Sequence, residues 1–193
     1  QQIQFCTKLE GKSSWFLPFN KGYKDGAGNP PNPNGIMTSY LWEEVLTRDS
    51  LTNIIQNYAQ TVEEEVIDRK TKKVRKKYSQ IFPRYHQLDV VRKLLADVEA
   101  NGSGKKYLIQ HSAGSGKSNS IAWLTHQLVR IERETDGVAK PVFDSVIVVT
   151  DRKILDKQIR DTIKQFAQVS SLVGHAEKSS DLRDMITAGK KII

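Results

Sequence analysis

Apolar residues recur at helical spacing through the second half of the chain. Beyond Pro83, one stripe of apolar positions comprises Leu88, Val91, Leu94, Leu95 and Val98. Comparable stripes follow over about residues 117–131, 154–166 and 182–188. Residues three or four positions apart lie on one face of a helix, so the pattern predicts four amphipathic helices.

Short apolar runs without helical spacing separate these helices. They lie at Tyr107–Ile109, at Ser145–Thr150 and at 169–173, and a further run begins at Lys191. Successive apolar residues are typical of parallel strands that are covered on both faces. Alternating strands and helices therefore predict an α/β fold with a parallel sheet and right-handed crossovers, incomplete within this chain.

The first 60 residues follow no single period. Residues 22–35 hold four glycines and three prolines, which predicts a loop. A short helix is predicted after Thr38 or Ser39, and a second one after Asp49 or Ser50, because these residues are common helix N-caps.

Residues 61–80 change in character. Three glutamates precede seven basic residues between positions 69 and 77. Weak alternation fits a charged hairpin, and the composition fits a flexible linker as well. The basic residues can track nucleic-acid phosphates or form a solvated face, and the sequence leaves both open. We place a domain boundary here and divide the chain into 1–60, 61–80 and 81–193.

The composition excludes collagen-like, wholly disordered and disulfide-rich classes, with 38% hydrophobic and 27% charged residues. A net charge of +8, from 30 basic and 22 acidic residues, favours a polyanionic partner. No apolar run approaches the roughly 20 residues of a membrane span, so no membrane partner is expected. Cys6, the one cysteine, can form no internal disulfide, so we expect a reducing, cytoplasmic setting. The chain opens at Gln1 rather than Met, and we expect a piece of a longer protein.

The most informative motif is HSAGSGKS, residues 111–118, which follows an apolar run and opens a predicted helix. That context is typical of a phosphate-binding loop. Gly114 and Gly116 let successive N–H groups point into one concavity, where the helix N-terminus adds partial positive charge. His111 stands where the usual pattern has glycine, which implies a different entry turn. The alternative is a glycine-rich helix start with a solvated lysine.

The motif assigns chemistry to individual side chains. Lys117 is the predicted catalytic residue, since it reaches the β- and γ-phosphates of ATP, and Ser118 is the predicted magnesium ligand. Upstream, the Gln87 amide can pair with both N6 and N7 of adenine, and the alternative is a surface glutamine at a helix start. Tyr85 is left open between base stacking and the core. The predicted nucleotide-binding residues are Gln87, Ala113, Gly114, Ser115, Gly116, Lys117, Ser118 and Asn119.

A second candidate segment is VIVVTDR, residues 146–152, where a predicted strand ends and a helix begins. Loops at the carboxyl ends of strands carry ligands in open α/β sheets. Thr150, Arg152 and Lys153 are therefore predicted DNA contacts, with solvated side chains as the alternative. Asp151 is expected to be the N-cap of the following helix.

Two weaker signals are interpreted as structural. Glu10 and Lys12 match the end of a metal-dependent nuclease motif, but no apolar strand leads into Glu10 and no acidic residue precedes it. The four histidines lack paired ligand spacing, so no metal–histidine site is predicted. His126 is expected at the surface of its helix.

These segments resemble a known family. The chain resembles the motor region of the restriction (R) subunit of type I restriction-modification enzymes in FPRYHQLDVVRKLL (82–95), LIQHSAGSGKSNSIAWL (108–124) and VVTDRKILDKQI (148–159). His111 fits that family. Upstream, the resemblance continues in GKSSWFLPFNKG (11–22), GAGNP (26–30) and SYLWEEVLTRDSL (39–51), and it is weakest across 61–80.

The resemblance implies a domain order and a fold. In that family, a nuclease domain precedes two RecA-like motor domains of helicase superfamily 2. Residues 1–60 resemble the end of the nuclease region and its connection, and 81–193 resemble the first part of the first motor domain. The expected fold is an incomplete RecA-like P-loop parallel sheet, preceded by the tail of an α+β nuclease region. By motif match, Gln87 is similar to the adenine-reading glutamine, and 149–152 to the motif that touches DNA.

The resemblance also implies an activity. It is that of an ATP-dependent type I site-specific deoxyribonuclease, which translocates on double-stranded DNA before cleaving it. Modification (methyltransferase) and specificity subunits would be its partners. The nuclease core and the Asp-Glu strand that activates water are not recognisable here, so the chain alone is expected to be inactive. The alternatives are another superfamily 2 helicase or remodeller, and a regulatory nucleotide-binding module that does not hydrolyse ATP.

Overall fold

The computed structural model describes residues 2–68, 72–166 and 172–193. These residues divide into two compact units, one up to Leu88 and one from Asp89 onward. The charged segment 61–80 belongs to the first unit. Among the described helices, none combines the length and the hydropathy that crossing a bilayer requires.

The first unit is built on a four-stranded antiparallel sheet in the order β2-β1-β4-β3. Its strands are β1 (Gln4–Leu9), β2 (Trp15–Pro18), β3 (Gln60–Ile67) and β4 (Val74–Ile81). Strands β3 and β4 pair without a break, from Gln60 opposite Ile81 to Ile67 opposite Val74. Of the two alternatives for this segment, the structure has the hairpin.

The two predicted short helices are present in the first unit. One is a π-helical turn at Leu41–Val45, and the other is α1 (Arg48–Asn57), which starts one residue before the predicted cap at Asp49. Helix α1 begins after Thr47, whose extended backbone precedes the first helical residue. The helix therefore starts slightly earlier than its capping signal suggests.

An aromatic cluster forms part of the core of the first unit. Phe19 is buried, its ring lies 4.9 Å from that of Phe5, and its carbonyl accepts a hydrogen bond from the Tyr40 hydroxyl. Tyr85 meets Phe19 and Tyr40 edge-on, with ring centroids 5.5 Å and 5.3 Å away. Edge-to-face packing of this kind stabilises cores, and it favours the core alternative for Tyr85.

All four predicted amphipathic helices are confirmed. They are α2 (Tyr85–Asn101), α3 (Lys117–Leu128), α4 (Lys153–Gln165) and α5 (Ser179–Thr187), and α2 spans the division between the units. Helices α3 and α4 pack together through buried apolar side chains, among them Ala122, Trp123, Ile159, Ile163 and Phe166. This contact anchors the helix that the phosphate loop opens.

The expected parallel sheet is not present as an extended ladder. Among the described residues, parallel pairing is limited to isolated bridges from Ile192 to Val146 and to Val173. The predicted strand Tyr107–Ile109 belongs to no named strand, and Leu108 is 95% exposed. A strand requires a neighbour for its backbone groups, and apolar character alone does not supply one. In the predicted strand at 169–173, residues 169–171 lie outside the described residues.

The second unit also contains a hairpin that the sequence analysis did not predict. Strands β5 (Glu132–Thr135) and β6 (Val138–Pro141) pair antiparallel around Asp136 and Gly137. Both turn residues have positive φ, 56° and 75°. An Asp-Gly pair with this conformation is the usual two-residue hairpin turn, so this dipeptide was the available signal.

Candidate nucleotide and DNA sites

The phosphate-loop motif forms a curled turn that ends where α3 begins. Gly114 and Gly116 have φ values of 72° and 78°, in the left-handed region that favours glycine. Gly116 is the N-cap of α3, with a ψ of 35°. A Cβ on Gly114 would meet no atom within 4 Å, so the backbone angle, not crowding, is what requires glycine there.

The Lys117 ammonium lies against the entry of this turn. Its Nζ donates to the Ser112 carbonyl at 2.8 Å and to the His111 carbonyl at 3.3 Å. Lys117 is the first residue of α3, where the backbone N–H groups have no intrahelical acceptor. An exposed turn, a lysine charge and a helix N-terminus fit a polyphosphate anion.

The small polar residues of the motif surround the start of α3. Ser115 is buried, and its amide donates to the Ser112 carbonyl at a long 3.4 Å. Ser118 is half-buried in the first turn of the helix, and the Asn119 amide donates to the Gly116 carbonyl at 3.1 Å. The Ser118 hydroxyl is of the type that binds magnesium beside a phosphate, and that role stays a prediction.

Helix α3 is held in place by its contact with α4. Trp123 is 1% exposed, and its ring centroid lies 5.7 Å from that of Phe166. The His126 ring stacks on Phe166 at 5.5 Å, and its Nε2 donates to the Ile163 carbonyl at 2.9 Å. This packing sets the position of α3, and with it the direction in which the phosphate loop opens.

The expectation that His126 lies at the surface is wrong. Its exposure is 8%, because α4 covers the face of α3 on which it lies. Burial lowers the pKa of His126 below its usual 6.5, and the nearby positive charge of Arg130 lowers it further. Since Nε2 must carry the proton toward Ile163, Nδ1 is a buried acceptor without a donor among the described residues. His126 is therefore a neutral packing residue.

Gln87 lies in the first turn of α2 and is 3% exposed. Its Oε1 accepts the Arg84 backbone N–H at 2.8 Å. This contact resembles half of a capping box, in which the third helical residue reaches back to an otherwise unpaired amide. The surface alternative is therefore not what the structure shows. Adenine recognition by Gln87 stays a prediction.

The three predicted DNA-contacting residues lie along one cavity of about 740 Å³. Thr150, Arg152 and Lys153 line it, together with apolar side chains that include Ile147 and Ile193. The phosphate loop does not line this cavity. The cavity lies at the end of the segment that bridges to Ile192, as expected for a ligand-carrying loop after a strand. The structure thus brings these three residues together.

Two details of this segment differ from the sequence analysis. The N-cap of α4 is Arg152, not Asp151, whose carboxylate is 79% exposed and lies 3.7 Å from the Arg152 guanidinium. Asp156, which the analysis missed, lies near three groups at the cavity wall. Its carboxylate is 3.5 Å from the Thr150 hydroxyl, 3.7 Å from Arg160 and 3.9 Å from His175. An acidic residue in the first turn of the helix was the available signal.

The Glu10 carboxylate forms ion pairs with lysines of its own sheet. The expectation that no strand leads into Glu10 is wrong, because β1 ends at Leu9, directly before it. The Glu10 carboxylate pairs with Lys77 and, at 3.3 Å, with Lys8. The hydrogen bond from Lys77 lowers the pKa of Glu10, and Lys8 contributes in the same direction. Lys12 takes no part in these pairs. These contacts support the structural interpretation of Glu10 and Lys12.

A curled glycine turn at the start of a helix, with a lysine beside it, is the geometry of a P-loop nucleotide-binding protein. Comparison with protein families agrees with this class, because residues 86–193 match the SWI2/SNF2 ATPase model. That match covers more than half of the chain, and the chain belongs to the SWI2/SNF2 ATPase family. Comparison with curated proteins found no match, and comparison with solved structures found none either.

Family membership carries part of the expected function. It supports a RecA-like region, the use of ATP with magnesium, and ATP-dependent translocation or remodelling on DNA in general terms. The match gives no support to a nuclease, and it does not single out the R subunit of a type I restriction enzyme.

Proposed function

We propose that this chain is the ATP-binding part of the R subunit of a type I restriction enzyme. In this proposal, ATP hydrolysis drives the translocation of double-stranded DNA before cleavage. The observation that carries it is the curled turn at Gly114 and Gly116, which opens α3 beside the Lys117 ammonium. The family match supports a DNA-directed ATPase, and the motif resemblance in segments 82–95, 108–124 and 148–159 supports the restriction motor.

The chain's own residues divide the nucleotide chemistry between them. Lys117 neutralises phosphate charge, and the amides at the start of α3 bind phosphate oxygens. Ser118 offers its hydroxyl to magnesium, which when bound offsets the charge of the β- and γ-phosphates. Gln87 selects adenine through its amide group. Activation of the attacking water is assigned to residues outside this chain.

We assign the DNA contact to residues 150–153, which line the cavity where α4 begins. Arg152 has an 80% exposed side chain, so it can reach a phosphate without first losing a buried partner. The Thr150 hydroxyl and the Lys153 ammonium line the same cavity and offer further hydrogen-bond donors to the DNA phosphate backbone. Contacts of this type position a protein on DNA without reading its sequence. Sequence recognition would then belong to the specificity subunit.

The test is the Lys117→Ala variant of the intact protein, assembled with its modification and specificity subunits. We expect ATPase activity to fall on the order of 100-fold or more, because a preorganised charge at the phosphates is removed. Translocation and cleavage should be lost with it. The matched control is Lys106→Ala, another exposed lysine in the same unit. Cleavage that persists with ATP in the Lys117→Ala variant would contradict the proposal.

The second candidate is another superfamily 2 remodeller, and the SWI2/SNF2 match is the observation that favours it. Both candidates predict an ATPase that duplex DNA stimulates, so stimulation does not separate them. Cleavage of unmethylated DNA in the presence of the companion subunits does, since a remodeller displaces bound proteins and leaves the strands intact. An ATPase that duplex DNA does not stimulate would favour a regulatory nucleotide-binding module.

A further inference from the structure

The β3–β4 hairpin projects from the sheet of the first unit with both of its faces exposed. Every described residue in 63–67 and in 72–78 is exposed, although neighbouring residues on a strand point to opposite faces. The buried pair at its base is Val62 opposite Ser79. At about 3.3 Å per residue, the exposed part of β3 extends roughly 15 Å beyond that pair.

Acidic partners neutralise basic residues in the inner half of this hairpin, residues 62–65 and 76–79. Lys76 pairs with Glu63 at 2.8 Å, and Lys77 pairs with Glu10. On the same sheet, Lys8 pairs with Glu64 at 3.1 Å. The inner half is therefore a charge-balanced surface, of the kind that solvent covers without a further partner.

The outer half of the hairpin, residues 66–68 and 72–75, includes two lysines for which the structure shows no acidic partner among the described residues. Lys72 and Lys73 are exposed and have no ion-pair partner in the part of the chain that the structure describes. Arg75 is 72% exposed and lies 3.9 Å from Asp68, a loose contact.

Apolar side chains accompany these charges. Ile67 and Val74 are cross-strand partners with exposures of 62% and 59%, and Val66, opposite Arg75, is 44% exposed. Three exposed apolar side chains in one place are not expected on a surface whose only role is to carry solvated charges. Apolar atoms beside unbalanced cations match what a duplex presents in its major groove, where thymine methyl groups lie between two rows of phosphates.

We propose that the outer half of the β3–β4 hairpin binds duplex DNA, with Lys72 and Lys73 on the phosphate backbone. This contact is additional to the one assigned to Thr150, Arg152 and Lys153, and it rests on the proposed function because it assumes a DNA substrate. A two-stranded ribbon fits the major groove, which is about 12 Å wide. The competing partner is an acidic surface on a companion subunit.

The test compares two charge-reversal variants of the intact protein. One is Lys72→Glu with Lys73→Glu, and the control is Lys12→Glu with Lys140→Glu, two exposed lysines outside the hairpin. Binding is measured by fluorescence anisotropy with a labelled 30-base-pair duplex over a range of salt concentrations. ATPase activity without DNA and association with the companion subunits are measured in parallel.

We expect the hairpin variant to bind the duplex about 10-fold more weakly than the control near 0.1 M salt. The slope of log affinity against log salt should become shallower by about 2, since each lost phosphate contact removes about 0.9. ATPase activity without DNA should be unchanged. Lys72→Gln with Lys73→Gln should show the same trend to a smaller degree.

Other results would overturn the inference. If the hairpin variant binds the duplex with the same affinity and the same salt slope as the control variant, the hairpin does not bind DNA. Weaker association with the companion subunits, with DNA binding unchanged, would assign the hairpin to a protein partner instead. A wild-type protein that binds no duplex would overturn the proposed function as well, so the two failures can be told apart.

Discussion

The two units of this chain differ in how far apart in sequence their contacting residues lie. In the first unit, Lys8 pairs with Glu64, 56 residues away, across an antiparallel sheet. In the second, Lys117 bonds to Ser112, only five residues away. The first unit therefore depends on strands that meet in register, whereas the phosphate loop depends on two glycines and a helix start.

The same contrast appears in how each unit treats apolar extended segments. In the first unit, Val62 is buried at the base of the continuous β3–β4 ladder. In the second, Leu108 and Val149 are 95% and 87% exposed, in segments with little or no strand pairing. A strand-like sequence thus becomes a sheet only where partner strands lie beside it. A phosphate loop needs no such partner.

The largest expected effect lies in the helix contact behind the phosphate loop. Replacing Trp123 with Ala should lower the free energy of unfolding by about 3–5 kcal/mol, because a 1% exposed ring leaves a cavity between α3 and α4. Chemical denaturation measures the loss, and hydrogen exchange should place it in α3 and α4. Trp42→Ala, at a 50% exposed position of the first unit, should cost less than about 1 kcal/mol. Equal losses in the two variants would contradict the assignment of Trp123 to the core.

The next effect concerns a buried polar side chain of the first unit. Asn29 is 1% exposed, its Oδ1 accepts the Lys21 N–H at 2.9 Å, and its Nδ2 donates to the side-chain Oδ1 of Asn20 at 2.9 Å. Asn29→Ala removes the acceptor of the half-buried Lys21 amide, whereas the Asn20 Oδ1 keeps the Ile3 N–H, so we expect a loss of about 1–3 kcal/mol in thermal or chemical unfolding. Asn34→Ala, at an exposed position of the same loop, is the control and should cost less than about 0.5 kcal/mol.

Variants of Gln87 test two roles of one side chain, capping of α2 and recognition of adenine. Gln87→Ala removes the acceptor for the Arg84 amide and should cost about 1 kcal/mol of stability while relaxing the preference for ATP over GTP. Gln87→Glu keeps an acceptor for the Arg84 amide and loses the amide donor, so the preference should stay relaxed although the capping bond is kept. ATPase rates with ATP and GTP, together with thermal unfolding, measure the two effects. Unchanged nucleotide preference in both variants would remove the adenine role.

The smallest effect is a dependence of stability on pH that belongs to the second unit. Burial lowers the pKa of His126, so the unfolded chain binds a proton more readily than the folded one. The contribution of His126 is complete above about pH 6.5 and is lost as the pH falls toward its lower folded pKa. In His126→Gln, which keeps a donor for the Ile163 carbonyl, the free energy of unfolding should fall less between about pH 7 and 5. An unchanged slope would show that His126 does not titrate in this range.

Several features followed correctly from the order of residues. Four amphipathic helices were predictable because their apolar positions repeat within a few residues. The turn at Gly114 and Gly116 was predictable for the same reason, since glycine supplies the left-handed backbone angles that it requires. The β5–β6 hairpin carried a comparable local signal in Asp136 and Gly137, which the analysis overlooked.

Burial and pairing were decided by parts of the chain that are distant in sequence. His126 looked like a surface residue until α4, with Ile163 as its hydrogen-bond acceptor, covered it. Glu10 was interpreted from the sequence as structural, but its partner Lys77 on strand β4 became visible only in the folded chain. Which apolar segments would pair, and which would stay extended and exposed, was also settled only on folding. The physical reason is that spacing encodes local backbone conformation, whereas desolvation, ion pairing and strand pairing depend on neighbours that only folding brings into contact.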